Sequence, residues 1–254
     1  MKVLVKLGGT LLDSPDSQKR LAAEIAALRE KAEVVVVHGG GKQMTRYLEQ
    51  HGVASRFING LRVTTPEVVD AVLKVFAGTV NTQLVAALRA AGARPVGLSG
   101  LDAGILDAEP LSPELGSVGR AVRSDPRLIQ VLLAAGFLPV IACVAGDANG
   151  TIYNINGDQM AAACASSLRV DKLLFLTDVD GVRDSAGEIL KTLSAEGARE
   201  LIRTGVATGG MQAKLEAALV ALENRVCEIT IAPGSYANVL LSLTNGSGIG
   251  THIY

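Results

Sequence analysis

The chain has 254 residues, with 24 Lys and Arg against 25 Asp and Glu, a formal net charge of −1, 48% hydrophobic residues and 3% aromatic ones. That length suits one large α/β domain or two small lobes around a sizeable core. The charge balance argues against a nucleic-acid binder or a membrane-surface protein, and the lack of Trp with so few aromatics against a platform for stacked bases.

KVLVKL (2–7) opens the chain as a strand and runs directly into Gly8 and Gly9. Ser14-Pro15-Asp16 starts a helix over 16–31, with proline in its first turn. EVVVVHG (33–39) is a second strand, followed by Gly40 and Gly41 and by helical spacing over 42–52. Thr65-Pro66-Glu67 starts a helix over 66–77, and another covers 79–92. RPVGLS (94–99) is a strand, after which residues 103–124, broken by Pro and Gly, read as a hairpin insertion. A helix over 125–136, the strand FLPVIACV (137–144), a helix over 157–169 and the strand KLLFLTD (172–178) follow. Helices over 194–204 and 211–224, the strand CEITIAPG (227–234) and a helix over 235–244 complete the pattern.

Strands of nearly unbroken apolar character are buried on both faces, the mark of a parallel sheet. The fold class expected is therefore α/β: an open αβα sandwich with a mostly parallel central sheet. A boundary near residue 170 divides an N-terminal lobe, 1–170, from a C-terminal lobe, 171–254. The isolated Cys143, Cys164 and Cys227 read as small buried apolar residues in a reducing compartment, without the spacing of a zinc site. The N-terminus is broken too early by glycine for a signal peptide, and no apolar run approaches bilayer length, so a cytoplasmic protein is expected.

HGGGKQ (38–43) places three glycines where one or two would make a tight turn. Glycine is costly in ordered chain unless a close approach or a positive φ requires it, and bare amides at a helix N-terminus suit an anion. Neither standard nucleotide loop fits. Walker A fails twice, because Gln43 follows Gly41-Lys42 and Val36 stands five residues before Gly41. The dinucleotide spacing GxGxxG is also missing, which disfavours a nicotinamide-dependent oxidoreductase.

Other polar groups gather at strand ends or helix starts, where ligands of open α/β sheets bind. Lys6 has no bland use in a buried strand. Arg62 in NGLRVT offers a fork for a carboxylate or phosphate. Asn154 and Asp158 stand at the mouth of an Ala-rich helix in NINGDQMAAACA, where Asp158 also reads as a helix cap. Asp178 and Asp180 end the strand in LTDVDGV and also read as turn residues; Lys214 lies in the first turns of the helix in TGGMQAKLEAAL. His38 orients the glycine loop rather than catalysing, and His51 and His252 receive no role.

The order KLGG, HGGG, NGLRVT, NINGDQ, LTDVDGV, GGMQAK resembles the amino acid kinase family over the whole chain. KLGG and HGGG are shared with sister kinases, while NGLRVT is the acylamino-acid signature. The resemblance implies transfer of a phosphoryl group from ATP to the side-chain carboxylate of N-acetyl-L-glutamate, a step of arginine biosynthesis, with the acceptor in the N-terminal lobe and ATP in the C-terminal one. It gives Lys6, Lys214 and Asp158 catalytic roles, the lysines on the transferring phosphoryl group and Asp158 between them. Gly40, Gly41, Arg62 and Asn154 would contact the acceptor. Gly8, Gly9, Asp178, Val179, Asp180, Gly181, Val182, Arg183, Val206, Ala207 and Thr208 would contact ATP, with Mg²⁺ held mainly by the phosphates and no protein metal site.

Lys42 stands where the family's loop commonly has proline. NINGDQ and VGLSGLD (96–102) lean toward a sister kinase acting on carrier-linked α-aminoadipate; that acceptor and a non-catalytic sensor of the same fold are the alternatives. Arginine-inhibited members carry a helix before the first strand, which here begins at Lys2. The resemblance therefore implies a homodimer built on the N-terminal lobe, with the helix over 66–77, including Phe76, as the candidate face, and no arginine feedback.

Overall fold

The computed structural model describes residues 1–254. In chain order the first half comprises β1 (Lys2–Leu7), α1 (Pro15–Arg29), β2 (Glu33–His38), α2 (Gly41–Gln50), β3 (Phe57–Ile58), β4 (Leu61–Arg62), α3 (Pro66–Val72), α4 (Asn81–Ala90), β5 (Pro95–Ser99), β6 (Leu106–Pro110) and β7 (Val118–Ser124). Then come α5 (Arg127–Ala134), β8 (Leu138–Ala142), β9 (Val144–Gly146), β10 (Ile152–Ile155), α6 (Gly157–Leu168), β11 (Lys172–Thr177), β12 (Thr192–Leu193), α7 (Ala195–Arg203), α8 (Gly209–Glu223), β13 (Glu228–Pro233), α9 (Val239–Thr244) and β14 (Thr251–Ile253).

The six strands read from the sequence as apolar runs are all strands of one eight-stranded sheet, ordered β12-β14-β13-β11-β1-β2-β8-β5. Only the β13–β14 pairing is antiparallel. Valine and leucine fill β1 and β2 because each faces helices on both sides, and Val3 to Val5 and Val34 to Val37 are fully buried. The chain moves from β1 to β2 in one direction and later returns to β11 on the other side of β1. That reversal opens a crevice at the carboxyl ends of β1, β2 and β11, where Gly8, Gly39 and Asp178 emerge. The sheet is continuous across residue 170, since Val3 to Leu7 pair with Lys172 to Leu176.

The insertion is larger than its hairpin. β6 and β7 pair antiparallel as expected, but β9 and β10 join them in a small closed four-stranded barrel. Residues 66–90 also differ from the expectation of two helices. α3 and α4 are joined without a break by a π-helical turn over Leu73–Val80. The continuous helix Pro66–Ala90 is therefore long and apolar enough, by length and composition alone, to cross a membrane. Its Val68, Val72, Phe76, Val80, Leu84 and Leu88 pack in the core. Phe76 thus faces inward and is removed from the proposed dimer face. Cys143 and Cys164 are buried as expected, but Cys227 is exposed because it lies in the turn before β13.

Candidate active site

β1 delivers Lys6 to its C-terminal end, where the side chain passes beneath the start of α6. Gly157 makes this passage possible: a Cβ there would stand 3.2 Å from Lys6 Cε and 3.3 Å from Cys143 Sγ. Asn156 caps α6 by accepting from the amides of Asp158 (2.8 Å) and Gln159 (3.2 Å). Asp158 is therefore not the cap. Its carboxylate is free to receive Lys6 Nζ at 2.7 Å on Oδ1 and Lys214 Nζ at 3.3 Å on Oδ2. All three side chains are largely buried, with Asp158 at 6% exposure and Lys214 at 14%. Burial would push the Asp158 carboxyl up, but the two ammonium groups hold it below the usual carboxylate range.

The two glycine loops meet back to back. A Cβ on Gly9 would stand 2.8 Å from the Gly41 amide nitrogen, and one on Gly8 3.2 Å from Leu176 O. Gly40 is pressed against Phe76 and Val80, where a Cβ would find atoms at 3.0 to 3.2 Å. None of these glycines has a positive φ. Close approach, not turn geometry, is what requires them. By contrast, Gly39 and Gly41 face open space. The Gly39 and Gly40 amides donate to no backbone carbonyl. α2 and α8 both begin with glycine and without a side-chain cap, which leaves their first amides for an anion.

Arg62 is set by local chemistry. Asn59 and Gly60 have φ of 49° and 79°, the two-residue turn that Asn-Gly favours in a hairpin. This turn pairs Arg62 with Phe57 across β3 and β4, with the guanidinium 4.6 Å above the ring. Its nitrogens donate to Ser55 Oγ, to Thr45 Oγ1 at 2.7 Å and to Gly41 O at 3.3 Å. No carboxylate of the protein pairs with it, and burial lowers its pKa from the ordinary value. A buried guanidinium with neutral partners alone has the charge and geometry that suit a ligand carboxylate or phosphate. Asn154 donates to Thr64 Oγ1 at 3.1 Å, and Thr64 in turn donates to Arg62 O.

Two adjoining cavities collect these groups. The larger, of 540 Å³, is lined by Lys6, Gly8, Gly9, Gly41, Arg62, Asp178 and Lys214 among others. A second, of 220 Å³, brings Gly39, Gly40, Gly41, Arg62, Asn154 and Asp158 together. Asp178 is the one member of the 178–183 stretch on the larger cavity. Val179 and Val206 are exposed, Asp180 and Arg183 form an exposed pair at 4.0 Å, and Thr208 precedes α8. Val182 and Ala207 are buried, and the Val182 amide donates to Thr251 Oγ1 at 2.8 Å, so these two side chains hold the loops rather than face a ligand. No cluster of three His, Cys, Asp or Glu side chains stands anywhere in the chain. The single carboxylate of Asp178 fits a magnesium ion carried largely by phosphate oxygens.

Thr45 and Lys42 also line the larger cavity. Thr45 lies one helical turn beyond Gly41 on α2, a spacing that the sequence displays. Phe57 was hidden because a two-residue strand carries no period.

Fold and site together define an open α/β protein whose cavities are lined by glycine loops, two lysines and an arginine, with no P-loop. The chain belongs to the amino acid kinase family, whose sequence profile matches residues 1–233. It is 57% identical over 252 residues to the acetylglutamate kinase of Solibacter usitatus (strain Ellin6076), covering 99% of this chain and 98% of that one. It is 45% identical over 246 residues to the acetylglutamate kinase of Acidobacterium capsulatum, covering 96% and 95%. Among solved structures, N-acetylglutamate synthase from Neisseria gonorrhoeae, complexed with coenzyme A and N-acetyl-glutamate, superposes with a TM-score of 0.88 at 29% identity. That match covers 99% of this chain and 59% of the synthase.

Proposed function

We propose that the chain transfers the γ-phosphoryl group of ATP to the side-chain carboxylate of N-acetyl-L-glutamate, forming the acyl phosphate and ADP. The observation that carries this reading is the pair Lys6 and Lys214 on one buried aspartate, beside an Arg62 with no carboxylate of its own. The relatives named acetylglutamate kinase, up to 57% identical over nearly the full chain, support the acceptor. They weigh against carrier-linked α-aminoadipate. The presence of Lys6, Asp158 and Lys214 together weighs against a non-catalytic sensor.

The acceptor carboxylate is ionised near pH 7, so an oxygen attacks phosphorus without a general base. His38 has no such part, being wholly buried and lining neither cavity. The barrier is the approach of an anion to a polyanion, and positioning with charge neutralisation supplies the catalysis. Arg62 and Asn154, with the Gly40 and Gly41 amides, hold the acceptor. Lys6 and Lys214 neutralise the oxygens of the transferring group as the bond to ADP breaks, and Asp158 fixes their ammonium groups in place. Gly8 and Gly9 approach the phosphates, and the segments 178–183 and 206–208 surround the rest of the nucleotide. Mg²⁺, held mainly by phosphate oxygens, supplies further charge neutralisation.

On this reading residues 1–170 hold the acceptor and residues 171–254 the nucleotide. The assembly is a cytoplasmic homodimer joined through the N-terminal lobe. The test is an assay with Mg-ATP and N-acetylglutamate, glutamate or α-aminoadipate as acceptor, with the acyl phosphate trapped by hydroxylamine. Turnover confined to N-acetylglutamate is expected; turnover confined to another acceptor overturns the assignment. Light scattering at a mass of two chains is the expected result for the assembly.

A further inference from the structure

Behind the glycine loop lies a buried polar relay whose two central side chains, Asn81 and His38, line neither cavity of the site. Asn81, the first residue of α4, is 5% exposed and His38 is fully buried. Asn81 Nδ2 lies 2.9 Å from His38 Nε2 and 3.0 Å from Val140 O. His38 Nδ1 lies 3.0 Å from Gly39 O, the first carbonyl of the glycine loop. The Cys143 thiol donates to His38 O at 2.9 Å.

Asn81 Nδ2 also lies 3.4 Å from Leu98 O, the longest of its three contacts, so its two protons go to the two nearer acceptors. Val140 O and Gly39 O can only accept, so Asn81 donates one proton to Val140 and the other to His38 Nε2, and His38 Nδ1–H donates to Gly39. The His38 ring then accepts at Nε2 and donates at Nδ1. Gly97 lets this happen, because a Cβ there would overlap the Asn81 carboxamide. The π-turn over Leu73–Val80 does the rest. It rephases the helix so that Phe76 and Val80 press on Gly40 while Asn81, the next residue, reaches His38.

Resting on the acceptor site proposed above, we infer that Asn81 is a positioning residue which, through the Nδ1–H tautomer of His38, pins the Gly39 carbonyl and turns the adjoining glycine amides toward the acceptor. The Gly39 carbonyl is engaged by His38, and the amides of Gly39 and Gly40 keep no backbone acceptor. The relay touches only the β2 side of the crevice. It therefore acts on acceptor binding and leaves the nucleotide side unchanged.

The experiment has two arms. In the first, kinetics compare the wild type with Asn81→Ala, which removes both donors, and Asn81→Asp, which keeps the shape but puts an acceptor oxygen in place of the NH₂ that makes both bonds. The acceptor KM rises at least roughly tenfold, as for loss of hydrogen bonds to a charged group, while the ATP KM stays within about twofold. Equal rises in both KM values, or no change in either, overturn the inference. Absence of wild-type turnover with N-acetylglutamate would instead count against the acceptor assignment itself. In the second arm, ¹⁵N NMR of the wild type at pH 7 reads the His38 tautomer, assigned after replacing His51 and His252. A neutral ring protonated at Nδ1 is expected; an Nε2–H ring or an imidazolium overturns the inference, whether or not the Asn81 variants fold.

Discussion

Gly9 and Gly41 stand so close that a methyl group on the first would lie 2.8 Å from the amide nitrogen of the second. Two loops belonging to different strands are thereby held as one surface. Gly9→Ala should force them apart, destabilising the protein by about 1 to 3 kcal/mol, as overpacking does, and lowering kcat/KM at least tenfold. Gly41→Ala meets nothing within 4 Å and should leave stability within about 0.5 kcal/mol while still lowering activity, because its Cβ enters the cavity. Urea unfolding beside initial rates separates the two effects. Equal destabilisation of the two variants would refute the back-to-back arrangement.

Lys214 and Arg62 should fail differently. Lys214→Ala is expected to lower kcat on the order of 10²–10³-fold with little change in acceptor KM, since its contact strengthens in the transition state. Arg62→Ala should chiefly raise acceptor KM, and Arg62→Lys should not restore it, because a point charge cannot replace the fork braced by Ser55, Thr45 and Gly41. Steady-state kinetics over both substrates check this; exchanged signatures would reverse the roles.

Asp158→Asn leaves Lys6 and Lys214 side by side without their carboxylate. A loss of roughly 3 kcal/mol is expected at pH 7, as for other buried pairs with one partner removed. The folded carboxyl titrates below its unfolded value, so its contribution is present above about pH 4 and disappears as pH falls through the lowered value. The wild-type margin over Asp158→Asn should therefore be flat from pH 7 to 5 and shrink below pH 4. Urea unfolding across that range measures it, and a margin that grows on acidification would contradict the pairing.

His38 works in the opposite direction. Burial lowers its pKa to about 4, although its bond to Gly39 opposes the shift. Between that value and the ordinary value near 6.5, the unfolded chain binds a proton that the folded chain does not. The residue therefore lowers stability as pH falls through this window, by about 1.4 kcal/mol per pH unit. Unfolding free energies of His38→Phe should show a shallower slope from pH 6.5 to 4 than the wild type. Parallel slopes would mean that His38 is charged in the folded state.

Much of this protein was legible in its sequence because the signals were local. Unbroken β-branched runs wrote the parallel strands, Ser14-Pro15 and Thr65-Pro66 wrote helix starts, and consecutive glycines at strand ends wrote an anion site. The Asn59-Gly60 turn that aims Arg62 is an equally local signal, but only the structure revealed it. What the tertiary structure alone decided were meetings between residues far apart in the chain. Lys214 reaches Asp158 across 56 positions, Asn81 reaches His38 across 43, and Gly9 approaches Gly41 across two different strands. A π-turn in an otherwise helical run cannot be seen in a period of 3.6, so residues 66–90 read as two helices and Phe76 as a surface residue. Secondary structure follows from the neighbours of each residue, whereas the polarity of a buried histidine and the spacing of two loops follow from what the closed sheet places against them.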